Sequence, residues 1–321
     1  MQGTLSDSMN VDMGVPQGSV LGPLLFIIFI NDITKCIRNS KIILYADDTA
    51  IFFAHNSIST ILSTLQSELN SLSEWFRNND LILNIKKTKA MLFSSGKRLS
   101  SFDSDTFNLV SNGTSIEYTG CMKYLGIILD PTLSWHEHID YIATRINSRL
   151  GLLCRVRKYL SVDISNQIFS TLIQPLFEYC NVIWSNANNT KLERLIKLQK
   201  KGARILLQKR IREARSIDLF KQLGWAPLQQ RWDFYKCVAV YKSLHGLFPP
   251  YLSNVFCRNS MIHNYNTRGR DDIHLNKVNS KSGQRSFSFS AAKLYNNLPK
   301  YVKNSSSLKQ FKSRYWQNVA L

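Results

Sequence analysis

The sequence predicts an α+β fold, in which antiparallel β-hairpins packed on helices, expected to form one small sheet, precede a mainly helical remainder. Runs of β-branched and aromatic residues flank the acidic pair Asp47-Asp48, and Asn112-Gly113 separates two further runs of β-formers, a strong hairpin signal. From Ser134 onward apolar residues recur at helical spacing. With 321 residues and 44% hydrophobic content, the chain is long enough for two or three hydrophobic cores.

The first distinct pattern is a glycine-containing loop that leads into an apolar helix. Gly14 and Gly18 permit backbone geometry closed to other residues, so this loop can approach a ligand closely. Pro23 suits the first turn of a helix, which we expect over about 22–37. The apolar run 20–30 is shorter than the ~20 residues that a membrane span needs, and we expect no signal peptide before it.

The first hairpin, over 42–53, carries Asp47 and Asp48 at its tip. We expect both strands to be well buried, which would hold the tip rigidly. Two adjacent carboxylates offer the hard oxygen ligands that suit Mg²⁺ or Mn²⁺ in phosphoryl-transferring enzymes. An ordinary turn is the alternative interpretation, because acids are common in turns.

An amphipathic helix and two strand pairs follow. Ser57 is a suitable N-cap for a helix over 58–76 with apolar residues at helical spacing. The Asn-Gly turn predicts a hairpin over 107–118. The stretch 121–130 predicts more strand, in which Gly126 would allow close approach of another backbone.

Helices dominate after residue 134. Ser134 and Glu137 have the spacing of a capping box at the start of the first helix. Further amphipathic stretches cover 162–180, interrupted or ended near Pro175, and 191–207.

The charge of the chain predicts a polyanionic partner. The formal net charge is +19, which favours nucleic acid, although a solvated basic surface without a ligand is the alternative. Between Arg194 and Arg215, nine basic residues occur at high density, and phosphate contacts there would weaken steeply with salt. The basic tail interleaves aromatic residues over 265–316, which suits either stacking on single-stranded bases or a small core.

Cysteine and histidine spacing predicts no zinc site. The six cysteines include no Cys-x-x-Cys pair. His136 and His138 lie two apart on a predicted helix, so they point to different sides and make a poor metal pair.

Two motifs carry a resemblance to a known family. Residues 14–26 read Gly-Val-Pro-Gln-Gly-Ser-Val-Leu-Gly-Pro-Leu-Leu-Phe, and Asn31-Asp32-Ile33 and Tyr45-Ala46-Asp47-Asp48 follow. This combination resembles the reverse transcriptases of non-LTR retrotransposons, the jockey-like branch especially. The mobile-intron reverse transcriptases share the Pro-Gln-Gly core and the acid pair but as a rule lack the other continuations, and they are the near alternative.

The resemblance implies a partial polymerase palm over 1–130, a thumb-like helical region over 131–210 and a basic C-terminal region over 211–321. It implies RNA-templated DNA synthesis by two-metal nucleotidyl transfer with Mg²⁺ or Mn²⁺ in the full-length protein. The implied partners are an RNA template, a DNA primer and dNTPs, with no membrane. The implied location is intracellular, in the nucleus or in a cytoplasmic ribonucleoprotein.

The resemblance also assigns candidate site residues. Asp47 is carried over as a catalytic metal ligand, and Asp48 as its neighbour with a lesser or supporting role. The nucleotide- and template-binding candidates are Pro16, Gln17, Gly18, Tyr45, Ala46 and Lys87. The primer-grip candidates are Tyr124, Leu125 and Gly126. The thumb candidates for contact with a template-primer backbone are Arg145, Arg149, Arg155, Arg157 and Lys158. For Lys87 and Gln17 the alternative is a solvated side chain on a loop.

The family positions a third carboxylate on a strand well before the Pro-Gln-Gly loop, where this sequence offers only Asp7 and Asp12. We therefore expect a C-terminal part of a reverse transcriptase that is inactive by itself. The alternative is a non-catalytic nucleic-acid-binding relic.

Overall fold

The computed structural model of the chain describes residues 14, 18–103, 107–265 and 269–320. The fold is a mixture of helices and small β-sheets, with helices in the majority. The chain divides into two compact units, Met1–Met122 and Lys123–Leu321.

In its described residues, the first unit contains three α-helices, five complete strands and the start of a sixth. The helices are α1 (Gly22–Ile30), α2 (Ile58–Asn78) and α3 (Gly96–Ser100). The strands are β1 (Lys41–Tyr45), β2 (Asp48–Phe52), β3 (Lys89–Ala90), β4 (Leu109–Ser111), β5 (Thr114–Tyr118) and β6 (Met122–Tyr124), which crosses into the second unit.

The second unit is helical apart from the end of β6 and β7 (Ile127–Leu129), which form a two-stranded sheet. Its helices before the tail are α4 (His136–Val156), α5 (Val162–Ile168), α6 (Gln174–Glu178), α7 (Asn181–Trp184), α8 (Asn189–Leu207), α9 (Ser216–Leu223) and α10 (Leu228–Leu244). The tail adds α11 (Pro250–Ser253), α12 (Lys281–Arg285), α13 (Phe287–Asn296), α14 (Lys300–Lys303) and α15 (Leu308–Ala320).

The predicted helix over 22–37 is shorter than expected. α1 ends at Ile30 and continues as a 3₁₀ helix over Asn31–Cys36. Pro23 occupies the first turn, as predicted, where its missing N–H has no helical partner. Several apolar side chains of α1, including Leu24, Ile27 and Ile28, are exposed.

The two predicted hairpins of the first unit form, but they belong to separate sheets. β1 pairs with β2, whereas β4 and β3 flank β5 in a second sheet. The expected single sheet built from both hairpins is therefore wrong. Helix α2 backs both hairpins. Ile61 and Leu69 of α2 belong to the β4–β5 cluster, and Leu72 and Trp75, nearer its end, belong to the β1–β2 cluster.

Local signals explain the element boundaries. The side chain of Ser57 accepts a hydrogen bond from the Thr60 N–H and begins α2, as predicted. Asn112 and Gly113 have φ of +49° and +76°, which is the geometry that a two-residue Asn-Gly hairpin turn requires. The helical stretch 162–178 continues past the expected break near Pro175 through a π-helical turn over Phe169–Ile173.

The predicted Ser134–Glu137 capping box is wrong. The N-cap of α4 is Trp135, with a left-handed φ of +64°, and the carboxylate of Asp130 replaces the box. It accepts hydrogen bonds from the N–H groups of Thr132, Ser134 and Trp135. Asp130 therefore accepts the Ser134 N–H that Glu137 would have accepted in a capping box. The Ser134 hydroxyl accepts the N–H of His136 rather than that of Glu137.

Two hydrophobic clusters share helix α10 in the second unit. Leu228 and Trp232 belong to a cluster built on α4, α8 and the 162–178 stretch. Phe234, Val240 and Tyr241 belong to a cluster with α13 and α15. In the described part of the chain no helix is long and apolar enough to cross a membrane.

Candidate active site

The β1–β2 hairpin carries the acidic pair at a two-residue turn. Tyr45 pairs with Asp48, so Ala46 and Asp47 form the turn itself. Ala46 has a φ of +52°, in the left-handed region that residues with a Cβ rarely adopt. A strained non-glycine residue costs about 1–3 kcal/mol and persists only where the surrounding structure holds it, commonly at functional sites.

The described residues cover only one face of this hairpin. Ile42, Leu44 and Ile51 pack with the cluster of Ile33, Leu72 and Trp75. On the other face, Tyr45 is 64% exposed, and Ile43 and Phe52 are exposed as well. The expectation that both strands are well buried is therefore wrong, because alternate residues of a strand point to opposite faces and one face lacks a cover among the described residues.

A buried glutamate that the sequence analysis did not single out anchors the start of the hairpin. Glu68 of α2 is 3% exposed, and its carboxylate accepts hydrogen bonds from the backbone N–H groups of Arg38, Asn39 and Ser40. The Asn39 bond is 2.7 Å long. These residues directly precede β1, so Glu68 fixes where the strand begins. The available signal was its position, because it lies within the apolar stripe of α2.

Both tip carboxylates are exposed and carry no protein hydrogen bond or ion pair within the described residues. Two unengaged carboxylates on one tip fit the hard oxygen ligands that a divalent cation prefers. Among the described residues, no group of three or more His, Cys, Asp or Glu side chains could hold a metal ion. The described residues therefore bring two carboxylates, and no third candidate ligand, to the tip.

The glycine loop is described only in part. Gly14 and Gly18 have φ of +92° and +86°, which agrees with the expectation that this loop needs glycine. The side chain of Ser19 accepts the N–H of Gly22 at 3.0 Å and so leads into α1. Pro16 and Gln17, two nucleotide- or template-binding candidates, lie outside the described residues.

Lys87 is distinguished from a neighbouring lysine by its partners. Lys89 forms an ion pair with Glu117 across the β3–β5 pairing. Lys87 lies exposed on the turn that begins at Asn84, and its ammonium has no carboxylate partner in the described parts of the chain. Lys87 therefore keeps a charge available for an anionic ligand.

The β6–β7 hairpin has a different kind of turn. Leu125 and Gly126 have φ of +45° and +81°, and the hydroxyl of Tyr179 donates a 2.8 Å hydrogen bond to the Leu125 carbonyl. A Cβ at Gly126 would lie 3.2 Å from the Tyr179 ring. Glycine is thus favoured twice, by the backbone angle and by the ring, and the group that lies close is a tyrosine side chain rather than the backbone that was expected.

Two basic side chains meet beside this hairpin. Lys123 and Arg145 both donate to the hydroxyl of Tyr141, at 3.2 and 3.0 Å. The hydrogen bond from Lys123, aided by the charges of both cations, lowers the pKa of Tyr141. The pair concentrates positive charge next to the primer-grip candidates.

A buried histidine and aspartate support the hairpin from beneath. His138 is 2% exposed, accepts the N–H of Ile128 at 3.3 Å, and has its pKa lowered to about 4 by burial. Burial acts to raise the pKa of Asp130, but hydrogen bonds from Ser134, Thr132 and Trp135 outweigh it and lower the pKa. His138 is thus a buried acceptor that supports the backbone of β7.

The predicted thumb cations divide into engaged and available groups. Arg157 is buried and donates to the carbonyls of Leu206 and Leu160, so the expectation that it tracks a nucleic-acid backbone is wrong. Arg149 donates to the Leu172 carbonyl. Arg155 and Lys158 are exposed. Tertiary packing thus selects among cations that look equivalent in the sequence.

Comparison with known proteins locates the similarity. The family described as reverse transcriptase (RNA-dependent DNA polymerase) matches residues 2–129. The RNA-directed DNA polymerase from mobile element jockey of Drosophila funebris is 31% identical over 205 residues, covering 60% of this chain and 22% of the relative. Its Drosophila melanogaster counterpart is 30% identical, covering 64% of this chain and 23% of the relative.

A third relative extends the similarity to another element. The probable RNA-directed DNA polymerase from transposon X-element of Drosophila melanogaster is 26% identical over 209 residues, which cover 63% of this chain and 22% of the relative. The matched part of this chain spans less than a quarter of these curated relatives. No solved structure matches the chain.

Proposed function

Because residues 2–129 are a reverse transcriptase domain homologous to the RNA-directed DNA polymerases of jockey-like non-LTR retrotransposons, we propose that the Asp47-Asp48 hairpin contributes metal ligands for RNA-templated DNA synthesis. The observation that carries this proposal is the tip itself, where two carboxylates have no protein partner within the described residues next to the left-handed Ala46.

Asp47 is the proposed metal ligand, and Asp48 has the supporting role. Reverse transcriptases use divalent metal ions, and the proposed ion is Mg²⁺ or Mn²⁺, because carboxylate oxygens suit these hard cations. When bound, such ions activate the primer 3′-hydroxyl and stabilise the leaving pyrophosphate. The remaining ligand would come from another carboxylate of a complete palm.

The protein groups around the tip have distinct proposed tasks. Glu68 holds the backbone before β1 and so keeps the tip in place. Tyr45 and Ala46 shape the turn, and Lys87 offers an ammonium to the phosphates of an incoming dNTP. Pro16, Gln17 and Gly18 are proposed to contact the template and the nucleotide.

The second unit is proposed to hold the template and primer. Tyr124, Leu125 and Gly126 form the proposed primer grip, with the turn kept in shape by Tyr179. The α4–α8 region, within 131–210, is the proposed thumb, and 1–130 the proposed partial palm. The basic region 211–321 is a proposed further contact surface for the RNA template and DNA primer.

Primer extension tests the proposal. A chain joined to an upstream palm segment of a jockey-like element, given Mg²⁺, dNTPs and a primed RNA template, is expected to extend the primer. Asp47→Asn should reduce extension by about 10³-fold or more, because one ligand of the metal site loses its charge. Asp80→Asn, which alters another exposed acid of the same unit, is the matched control and should leave extension unchanged.

The same assay separates the alternative function. The 321-residue chain by itself is expected to show no extension, because its described residues bring no third ligand to the tip. A non-catalytic nucleic-acid-binding role is favoured if the joined chain binds the primed template but never extends it. Extension that survives Asp47→Asn would contradict the proposed role of the hairpin.

A further inference from the structure

Helices α4 and α8 lie side by side in the same direction. Near their beginnings, Asp140 of α4 forms ion pairs with Lys191 and Arg194 of α8. Near their ends, Arg157 donates to the carbonyl of Leu206. Both helices therefore finish at the same end of the second unit, and the segment 208–213 follows directly.

An open cavity of about 1230 Å³ lies at this end. Of the fourteen residues that line it, nine are Lys or Arg and only Glu213 is acidic, a formal charge of +8. Basic residues are common at helix C-termini, where each helix carries a partial charge of roughly −0.5. Two such ends supply roughly −1, so the lining cations far exceed what the helix dipoles attract.

Most of these cations have no acidic partner. Arg157 and Arg204 donate to backbone carbonyls, and Lys201 donates to Asn147. Within the described parts of the chain, six others form no ion pair and donate no side-chain hydrogen bond: Lys158, Lys197, Lys200, Lys209, Arg210 and Arg212. By contrast, Asp140 partly neutralises the cations at the opposite end of α8.

The wall formed by residues 208–213 is held in shape by its own hydrogen bonds. Gln208 ends α8 with a φ of +51°, and the Lys209 N–H reaches back to the Arg204 carbonyl at 3.0 Å. The carboxylate of Glu213 accepts the Arg210 N–H at 3.0 Å, and the Glu213 N–H returns to the Arg210 carbonyl. The unengaged cations are thus presented by a folded turn.

We propose that this basic groove binds consecutive phosphates of a single nucleic-acid strand, as a site separate from the Asp47-Asp48 tip. Its ligand class rests on the proposed function. The shared chemistry is a row of closely spaced phosphates, which a free polyphosphate also offers. The polymer is favoured because the groove exceeds the roughly 300–1,000 Å³ of small-ligand pockets and is open to solvent.

Fluorescence anisotropy with a labelled single-stranded oligouridylate and the full 321-residue chain tests this proposal. Replacing Lys209, Arg210 and Arg212 together by Gln should weaken binding at least about tenfold at roughly 50 mM salt. The slope of log affinity against log salt should fall in magnitude by about 2, since each lost phosphate contact on a single strand removes about 0.7.

The matched control removes three exposed cations of the first unit, Lys35, Lys97 and Arg98, to which no binding role is assigned, and lowers the net charge equally. It should change affinity less than about twofold and leave the salt slope unchanged. Circular dichroism of both variants reports that the helices remain folded. An equal loss of affinity in the two variants would contradict a specific site in the groove and would show that the overall positive charge of the chain binds the RNA.

Two further readouts locate the ligand and its source. RNA should slow alkylation of the exposed Cys154, which lines the groove, in the unaltered chain but not in the triple variant. Inositol hexakisphosphate should displace the labelled RNA only weakly. If it displaced the RNA at a lower phosphate concentration than unlabelled RNA does, the ligand would be a free polyphosphate and the proposal of a nucleic-acid strand would be wrong. The anisotropy measurements test the groove, whereas primer extension by the joined chain tests the role of Asp47. Either proposal can therefore fail without the other.

Discussion

The β1–β2 and β6–β7 hairpins share a two-residue turn with left-handed backbone but use it in different ways. At the first turn, Ala46 adopts a φ of +52° and the adjacent carboxylates form no hydrogen bond or ion pair with a described protein group. At the second, Gly126 adopts a φ of +81° and Tyr179 bonds to the neighbouring carbonyl. The first turn keeps its polar atoms available for a ligand, whereas the second is fastened to its own helical layer.

The difference shows how one local motif serves two purposes. A turn with a left-handed residue that is not glycine, with its carboxylates unengaged, has the features of a functional tip. A turn with glycine under an aromatic ring has the features of a packed support. The following changes test that contrast in order of decreasing effect on the free energy of unfolding.

Removing the Glu68 clamp should have the largest effect. Glu68→Ala leaves three backbone N–H groups near β1 without their acceptor, so we expect a loss of about 3–4 kcal/mol. Urea denaturation of the 321-residue chain measures it. Glu74→Ala on the same helix is the control and should cost less than about 1 kcal/mol. A small effect at Glu68 would show that the hairpin holds its position without the clamp.

Acid should destabilise the support of the second hairpin through His138. Its pKa is about 4 in the folded chain and about 6.5 when unfolded, so the unfolded state binds more protons between these values. Stability is fully present above pH 6.5 and falls, by up to about 3 kcal/mol, as pH drops towards 4.

Comparison of unfolding between pH 7 and pH 4 measures this loss. His138→Gln should flatten the curve over that window, whereas His136→Gln, at a neighbouring residue, should not. An unchanged pH dependence in His138→Gln would show that other groups cause the acid sensitivity.

Gly126→Ala tests the second turn directly. The added Cβ combines a left-handed φ with a 3.2 Å approach to the Tyr179 ring, so we expect a loss of about 2 kcal/mol in thermal or urea unfolding. Gly113→Ala is the matched case, because its φ is also positive but no atom lies within 4 Å. It should cost only about 1 kcal/mol. Equal losses of unfolding free energy in the two variants would show that the Tyr179 ring does not contribute to the requirement for glycine at residue 126.

The smallest effect is expected at the first turn. Ala46→Gly relieves the left-handed strain and should stabilise the chain by up to about 1 kcal/mol, after the greater entropy of glycine in the unfolded state is included. Ala50→Gly, in β2 and opposite Ile43, should instead destabilise it. If Ala46→Gly also destabilised the chain, the turn would be unstrained and would resemble the second one.

Much of the candidate site could be predicted from the sequence because its signals are local. The runs of β-formers around Asp47-Asp48, the Asn-Gly turn and the Ser57 cap are each signals that span only a few residues. Glu68 and Asp130 could not be assigned in this way. The hydrogen-bond partners of Glu68 lie in a separate segment of the chain. Asp130 caps α4 in place of a capping box that the sequence made equally plausible. Only the packed structure therefore reveals both roles.

By itself, the sequence determined the α+β order of elements, the acidic tip, the strong positive charge and the resemblance to a reverse transcriptase domain, because periodicity, turn residues and motifs are properties of short stretches. Tertiary structure alone decided that the hairpins occupy separate sheets, and that Arg157 is buried while Arg212 is exposed. It also decided that α4 and α8 end together around a basic groove. Those outcomes depend on which distant surfaces meet, and burial, charge pairing and shared helix ends exist only once they have met.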